Sequence, residues 1–177
     1  MRRPRTLLAV LGGLVVAVAA TLLLTGGSSA APTKSQALFK KTLLADAKTT
    51  SDVKRLLSDD GGFVAPDITF EDLTGDGRSD AIVLVDSGGV AGAVALYVFS
   101  TEGKSAESDL RVVYRSQRLY RASAEVADAA LILRTPRFAE GDDVCCPAKI
   151  VQRTYAWSDR ADTLRQRRSE ELPGPTG

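Results

Sequence analysis

The sequence predicts an α+β fold that is mainly antiparallel β, arranged as a meander sheet or a sandwich-like domain with two short N-terminal helices. Three observations predict it. Apolar runs rich in β-branched residues follow one another from residue 63 onward, each with the length of a strand. Short clusters of Gly, Asp and Ser separate these runs, which is typical of antiparallel connections rather than βαβ units. Residues 33–60 show the three- and four-residue spacing of amphipathic helices.

Residues 1–30 have the pattern of a secretory signal peptide. Three arginines precede an uncharged run over residues 6–25, and small residues at 28–30 form a cleavage site. The alternative is an uncleaved signal anchor, because the uncharged run is long enough to span a bilayer. Both alternatives place residues 31–177 outside the cytoplasm, secreted or at the cell surface. Membrane contact is then expected only through residues 6–25, if they are not removed.

Charge and composition exclude several classes of function. The chain has 23 Lys and Arg against 22 Asp and Glu, and residues 1–30 hold three of the arginines and no acid, so the remainder has a net charge of −2. Such a surface has no cationic footprint for nucleic acid. The sequence has no histidine, which excludes a His base, a His metal ligand and a Ser-His-Asp triad. We therefore expect no nucleic-acid partner and no catalytic residue.

A helical segment is predicted over residues 31–62. Thr33 and Gln36 have the spacing of a capping box just before an apolar run. A second helix ends at Gly61 and Gly62, because glycine favours helix termination. The apolar residues of the two helices lie at helical spacing and predict faces that cover a sheet: Leu38, Phe39, Leu43, Val53, Leu56 and Leu57.

The segment 63–170 is predicted to hold the antiparallel strands. Ile68 and Phe70 alternate with polar neighbours, which is typical of a half-buried strand. Continuous apolar runs predict two central strands that are covered on both faces. Those two strands lie at 81–85 and 93–99, and shorter candidates lie at 110–114, 119–126, 130–134, 150–157 and 163–167. Residues 171–177 are expected to form a disordered tail.

The Asp72 loop, residues 72–80, has an Asp-x-Thr-Gly-Asp-Gly-x-x-Asp pattern that predicts a calcium site. Calcium takes six to eight hard oxygen ligands, and oxygens at alternate positions can converge where a glycine lets the chain curl. The candidate ligands are the side chains of Asp72, Thr74, Asp76 and Asp80 and the carbonyl group of Arg78. The alternative is a tight hairpin in which the same residues form Asx turns without a metal. The sequence leaves both open.

Cys145 and Cys146 are adjacent and precede a proline. An oxidising compartment favours a disulfide, although neighbouring Cα atoms are only about 3.8 Å apart, below the usual disulfide range. The alternatives are a strained vicinal disulfide that rigidifies a loop, two buried thiols, or an intermolecular bridge. We favour the vicinal disulfide.

These motifs together resemble a group of exported, β-rich bacterial proteins of actinobacterial type that have no assigned activity. The 72–80 segment is similar to the calcium loop of FG-GAP/VCBS-type repeats, in which the ligands lie in a hairpin between two strands. The other shared features are Ser-Gly-Gly at 87–89, Cys-Cys-Pro at 145–147 and Arg-x-Tyr-x-Trp at 153–157. The resemblance covers roughly residues 66–157. It implies an extracytoplasmic β-rich domain and assigns no catalytic residue.

The favoured function is a non-catalytic exported module, stabilised by calcium, that binds an unknown protein or cell-surface ligand. One alternative is an extracytoplasmic hydrolase that uses paired carboxylates. Its candidates would be Asp80, Glu140, Asp142 and Asp143. We disfavour it because acidic residues in Gly-rich loops usually form solvated turns. A second alternative is a disulfide-linked or thiol-redox assembly protein that acts through Cys145 and Cys146.

Overall fold

The computed structural model describes residues 32–101 and 110–175. The predicted signal peptide at residues 1–30 lies outside this description. The described residues belong to a single compact unit that extends from Pro32. Among them, no helix is both long and apolar enough to cross a bilayer.

Two helices precede the strands, as the helical spacing predicted. They are α1 (Lys34–Ala45) and α2 (Ser51–Ser58). The predicted capping box is confirmed. The Thr33 hydroxyl accepts a hydrogen bond from the backbone N–H of Gln36 at 3.2 Å, and Gln36 Oε1 accepts one from the backbone N–H of Thr33 at 2.8 Å. Gln36 Nε2 also donates to the Val64 carbonyl at 2.7 Å, which ties the start of α1 to the first strand. One side chain therefore both caps the helix and docks it.

Nine strands within the described residues form two antiparallel sheets, which confirms the predicted fold class. The first sheet contains β1 (Phe63–Val64), β2 (Thr69–Glu71), β3 (Asp80–Asp86), β4 (Ala93–Thr101) and β5 (Leu110–Gln117). Its order is β1-β3-β4-β5, and β2 also pairs with β3. The second sheet is a meander in chain order of β6 (Ser123–Ala127), β7 (Ala130–Arg137), β8 (Lys149–Ser158) and β9 (Thr163–Pro173). A short 3-10 helix, Asp159–Ala161, connects β8 to β9.

The first sheet is covered on both faces, as its continuous apolar runs predicted. Alternate residues of β3 and β4 enter two different buried clusters, because successive side chains of a strand point to opposite faces. The cluster between the helices and the first sheet includes Phe39, Leu43, Val53, Leu57, Val83, Val85, Tyr97 and Phe99. The cluster between the two sheets includes Ile82, Leu96, Val98, Leu131, Leu133, Tyr155 and Leu164. The fold thus has three layers: helices, first sheet and second sheet.

The two sheets also meet through specific contacts from β5. The rings of Tyr114 and Tyr155 lie 5.1 Å apart between centroids. The Thr163 hydroxyl donates to the Val113 carbonyl at 2.6 Å. Burial raises the pKa of the Tyr114 phenol, because the charged phenolate loses its hydration there. These contacts fix β5 of the first sheet against β8 and β9 of the second.

The strand expected at 119–126 is shorter than the sequence indicated, because β6 begins at Ser123. The preceding residues form a corner in which Arg118 and Arg121 have positive φ angles of 61° and 46°. The Leu119 amide donates to the Val94 carbonyl at 2.8 Å, and the Ala122 amide donates to the Ala93 carbonyl at 3.1 Å. The corner is therefore bound to β4 and redirects the chain from the first sheet to the second.

The C-terminal strand is longer than expected. β9 continues to Pro173, so residues 171–173 pair with β8 although the sequence placed them in the tail. The Gly174 amide also donates to the Ala148 carbonyl at 3.0 Å. The long partner strand explains the difference, since β8 offers pairing positions back to Lys149.

Candidate functional site

The Asp72 loop connects β2 to β3, and its acidic side chains accept hydrogen bonds from the loop's own backbone. Asp72 Oδ1 accepts from the Gly75 amide at 2.7 Å, and its Oδ2 accepts from the Gly77 amide at 2.9 Å. Asp76 Oδ1 accepts from the Arg78 amide at 2.9 Å. Gly75 and Gly77 have φ angles of +75° and +80°, which glycine adopts without strain. These bonds give the loop its sharp curl.

Asp80 ends the loop as the first residue of β3 and is fully buried, with 0% of its surface exposed. Its Oδ2 accepts from the amides of Leu73 and Thr74, both at 2.8 Å. Such charge-assisted bonds offset part of the cost of burying a carboxylate. Its Oδ1 and the Thr74 hydroxyl oxygen are also buried and have no hydrogen-bond partner among the described residues.

The predicted calcium ligands all lie in the Asp72 loop, where each of its three aspartates accepts at least one backbone amide. Within residues 32–101 and 110–175, no group of three or more Asp, Glu, Cys or His side chains is arranged to hold a metal. The Arg78 side chain forms an ion pair with Asp76, with Nε 3.3 Å from Oδ2. The oxygens that fit calcium best are the two unpartnered ones, on Asp80 and Thr74, because they are hard oxygen donors. Calcium binding therefore stays a prediction.

Beside the Asp72 loop lies a cleft of about 380 Å³. The loop forms one wall, and residues from β4, β5, β8 and the following 3-10 helix form the rest. Its lining residues are Thr74, Gly75, Asp76, Arg78, Ser100, Arg111, Trp157 and Asp159. The cleft is thus built from both sheets.

The wall opposite the loop is held by its own polar contacts. Trp157 Nε1 donates to Asp159 Oδ1 at 2.9 Å, which fixes the edge of the indole. The Arg111 guanidinium forms a two-point ion pair with Asp162, in which Nη2 lies 3.3 Å from Oδ1. Trp157 also packs against the cluster between the sheets. Trp157 therefore contributes both to the packing between the sheets and to the cleft.

Sequence reasoning missed the cleft residues outside the loop. Ser100 directly follows the apolar run predicted at 93–99, and Arg111 lies in the strand predicted at 110–114, but neither prediction indicated a cleft. Trp157 ends the strand predicted at 150–157, and Asp159 begins the 3-10 helix that follows β8. The sequence signal nearest to the cleft is the Arg-x-Tyr-x-Trp motif at 153–157, which indicated only the resemblance.

Cys145 and Cys146 are paired in the structure as a vicinal disulfide. They lie in the loop between β7 and β8. Asp142 organises this loop, because its Oδ2 accepts from the amides of Ala139 and Ala148, both at 2.7 Å. Two of the carboxylates considered for a hydrolase, those of Asp80 and Asp142, therefore accept hydrogen bonds from backbone amides in two different loops. Neither of them lines the cleft.

No protein-family model, no curated protein and no solved structure matches this chain. The similarity of the Asp72 loop to FG-GAP/VCBS-type repeats accordingly stays a prediction.

Proposed function

We propose that this chain is an exported, non-catalytic module that binds a protein or a cell-surface ligand, with calcium stabilising its Asp72 loop. The observation that carries the proposal is the cleft. Residues 72–80 form one of its walls, and Trp157 and Asp159 contribute to the other. A change in the loop is therefore expected to change the shape of the binding site.

The non-catalytic assignment is supported by the contacts of the cleft carboxylates. Asp76 accepts a hydrogen bond from the Arg78 backbone amide and forms an ion pair with the Arg78 guanidinium. Asp159 accepts a hydrogen bond from the Trp157 indole. A glycosidase-type hydrolase needs two carboxyl groups that face the scissile bond, one as acid and one as base or nucleophile. Carboxylates that position a loop and an aromatic ring fit binding better than turnover.

The calcium assignment is supported by the two buried oxygens without partners, Asp80 Oδ1 and Thr74 Oγ1. A buried polar oxygen that makes no hydrogen bond is costly, and a cation beside it would offset that cost. When bound, calcium would supply positive charge to a loop that contains three aspartates.

Thermal unfolding of the chain with and without calcium tests this part of the proposal. At a calcium concentration 100 times its Kd, binding contributes about 2.7 kcal/mol, which corresponds to a rise in Tm of roughly 5–10 °C. The variant Asp80→Asn, which removes the charge of the carboxylate that has an unpartnered oxygen, is expected to lose this rise. Asp128→Asn, at the exposed turn between β6 and β7, is the matched control and should keep it. No rise at millimolar calcium, or the same rise in Asp80→Asn, would exclude a calcium-stabilised loop.

Export and binding are tested with the full-length chain carrying a C-terminal tag in bacterial cells. The tag should be found in the medium, or be removed when protease is added to intact cells. Protein recovered from outside the cells should then sediment with intact cells in a saturable manner. A tag that stays protected in the cytosol would contradict export. Turnover of chromogenic esters or glycosides by the recovered protein would instead support the hydrolase alternative.

A further inference from the structure

We propose that the cleft beside the Asp72 loop is a binding site for a pyranose sugar. The inference rests on the proposed binding function and specifies its ligand class. Four features carry it: an aromatic side chain, charged groups that are already paired, a buried polar residue, and the size of the cleft.

The aromatic feature is Trp157. A pyranose ring presents a patch of C–H groups on each face, and these pack well against an aromatic surface. Trp157 sits at the edge of the cluster between the sheets and lines the cleft. Its bond to Asp159 fixes the ring orientation before a ligand arrives, so little freedom is lost on binding.

The charged groups of the cleft are two arginines and two aspartates, Arg78, Arg111, Asp76 and Asp159. Sugar hydroxyls both donate and accept hydrogen bonds, so they suit a surface that offers both. Each aspartate already accepts one or more bonds, yet a carboxylate has about four lone-pair positions and can accept more. A phosphate or sulfate only accepts, and its charge would be opposed by the two aspartates. Because Arg78 is already paired with Asp76 and Arg111 with Asp162, the arginines add no uncompensated positive charge that would attract an anion, which favours a neutral polyhydroxy ligand.

The buried polar residue is Ser100, near the end of β4. It is 3% exposed and still lines the cleft. In the strand register it pairs with Arg111 of β5, another lining residue, and this pairing fixes the two positions relative to each other. Few polar groups that fix the orientation of the ligand are typical of small-ligand sites.

The size of the cleft limits the ligand. Its volume of about 380 Å³ is at the small end of the range for small-molecule sites. It fits one or two sugar rings rather than a folded protein segment. The cleft is open to solvent, which suits the terminal residue of a longer glycan.

The test uses the intrinsic fluorescence of the chain, because Trp157 is the only tryptophan in the sequence. The purified chain is titrated with methyl glucopyranoside, methyl mannopyranoside and N-acetylglucosamine, up to about 0.1 M for weak binding. Inorganic phosphate is titrated in parallel. We expect a saturable change in emission with at least one of the sugars and none with phosphate.

Variants then locate the site. Asp159→Asn keeps the acceptor for the indole but loses the charge, and should weaken sugar binding about tenfold. Ser100→Ala should weaken binding without lowering the Tm. Asp128→Asn repeats the Asp-to-Asn change away from the cleft and should bind like the parent chain.

A response to phosphate alone, no response to any sugar, or unchanged affinity in both Asp159→Asn and Ser100→Ala would overturn the sugar assignment. Failure of the sugar titrations together with saturable binding to cells would leave the proposed function in place and exclude only this ligand class. Failure of both would exclude the two proposals together.

Discussion

At the scale of single residues, Asp80 shows how the sequence motif and the fold depend on each other. It was selected as a candidate ligand, and the structure places it fully buried at the start of β3. Its carboxylate accepts two backbone amides of the loop, from Leu73 and Thr74. The residue therefore closes the loop whether or not calcium binds.

Replacing Asp80 tests this role. Asp80→Ala leaves two amides without their acceptor and should lower the free energy of unfolding by about 3 kcal/mol. Asp80→Asn keeps the shape and one acceptor oxygen, so it should lose less. Urea unfolding, monitored by Trp157 fluorescence, measures the free energy of unfolding of both variants. Equal losses in the two variants would show that the carboxylate oxygens do not close the loop.

The pairing of Cys145 and Cys146 is also a prediction at the residue scale. Both cysteines are joined in the structure, and none of the described cysteines is free. A thiol count on the denatured, unreduced chain should therefore give no reactive thiol. Two reactive thiols per chain would contradict the disulfide. A dimer on non-reducing electrophoresis that disappears with reductant would instead support the disulfide-linked assembly alternative.

At the scale of elements, a polar ladder crosses the solvent-facing side of the second sheet. Arg134 Nη2 donates to Glu125 Oε1 at 2.7 Å and Arg134 Nε donates to Gln152 Oε1 at 2.6 Å. Gln152 Nε2 donates to Glu170 Oε1 at 2.9 Å. The ladder thus links all four strands. Arg134 with Gln152 and Gln152 with Glu170 are paired in the strand register, whereas Glu125 lies diagonally from Arg134, whose register partner is Ser123. A slip of one residue would break it, because every side chain would change face.

The ladder predicts a pH dependence of stability. The hydrogen bond from Arg134 lowers the pKa of Glu125, and the bond from Lys149 lowers the pKa of Glu171 on the same sheet. A lowered folded-state pKa means that the stabilisation is present above the ordinary glutamate pKa. It is lost as the pH falls through the lowered value. Both groups are solvent-exposed, so the effect is expected to be small and to weaken further in salt.

Urea unfolding between about pH 6 and pH 3 measures this dependence. Glu125→Gln should reduce the loss of stability on acidification, because it removes one group that binds a proton on unfolding. Ser169→Ala, at an exposed position of β9, changes no titratable group, so it is the control and should leave the pH dependence unchanged. The same pH profile in the parent chain and in Glu125→Gln would contradict a contribution from the ladder.

At the scale of the whole molecule, the two buried clusters share strands β3 and β4, so they should unfold together. Leu43 lies in the cluster beneath the helices and Leu133 in the cluster between the sheets, and both are almost fully buried. Leu43→Ala and Leu133→Ala should each cost about 2–5 kcal/mol. In each variant, Trp157 fluorescence and far-ultraviolet circular dichroism should report the same urea midpoint. Separate midpoints in Leu43→Ala would show that the helical layer melts on its own.

The sequence by itself determined the helices, their capping box at Thr33 and Gln36, the two central strands and the curl of the Asp72 loop. These features depend on residues that are close along the chain, where side-chain spacing and glycine conformation set the local structure. Only the tertiary structure decided the division into two sheets, because strand alternation shows which face is buried but not which strand lies opposite. The same holds for the corner at Arg118–Ala122, whose hydrogen bonds go to β4. It holds most of all for the cleft, since Trp157 and Asp159 meet the Asp72 loop only when the second sheet packs on the first.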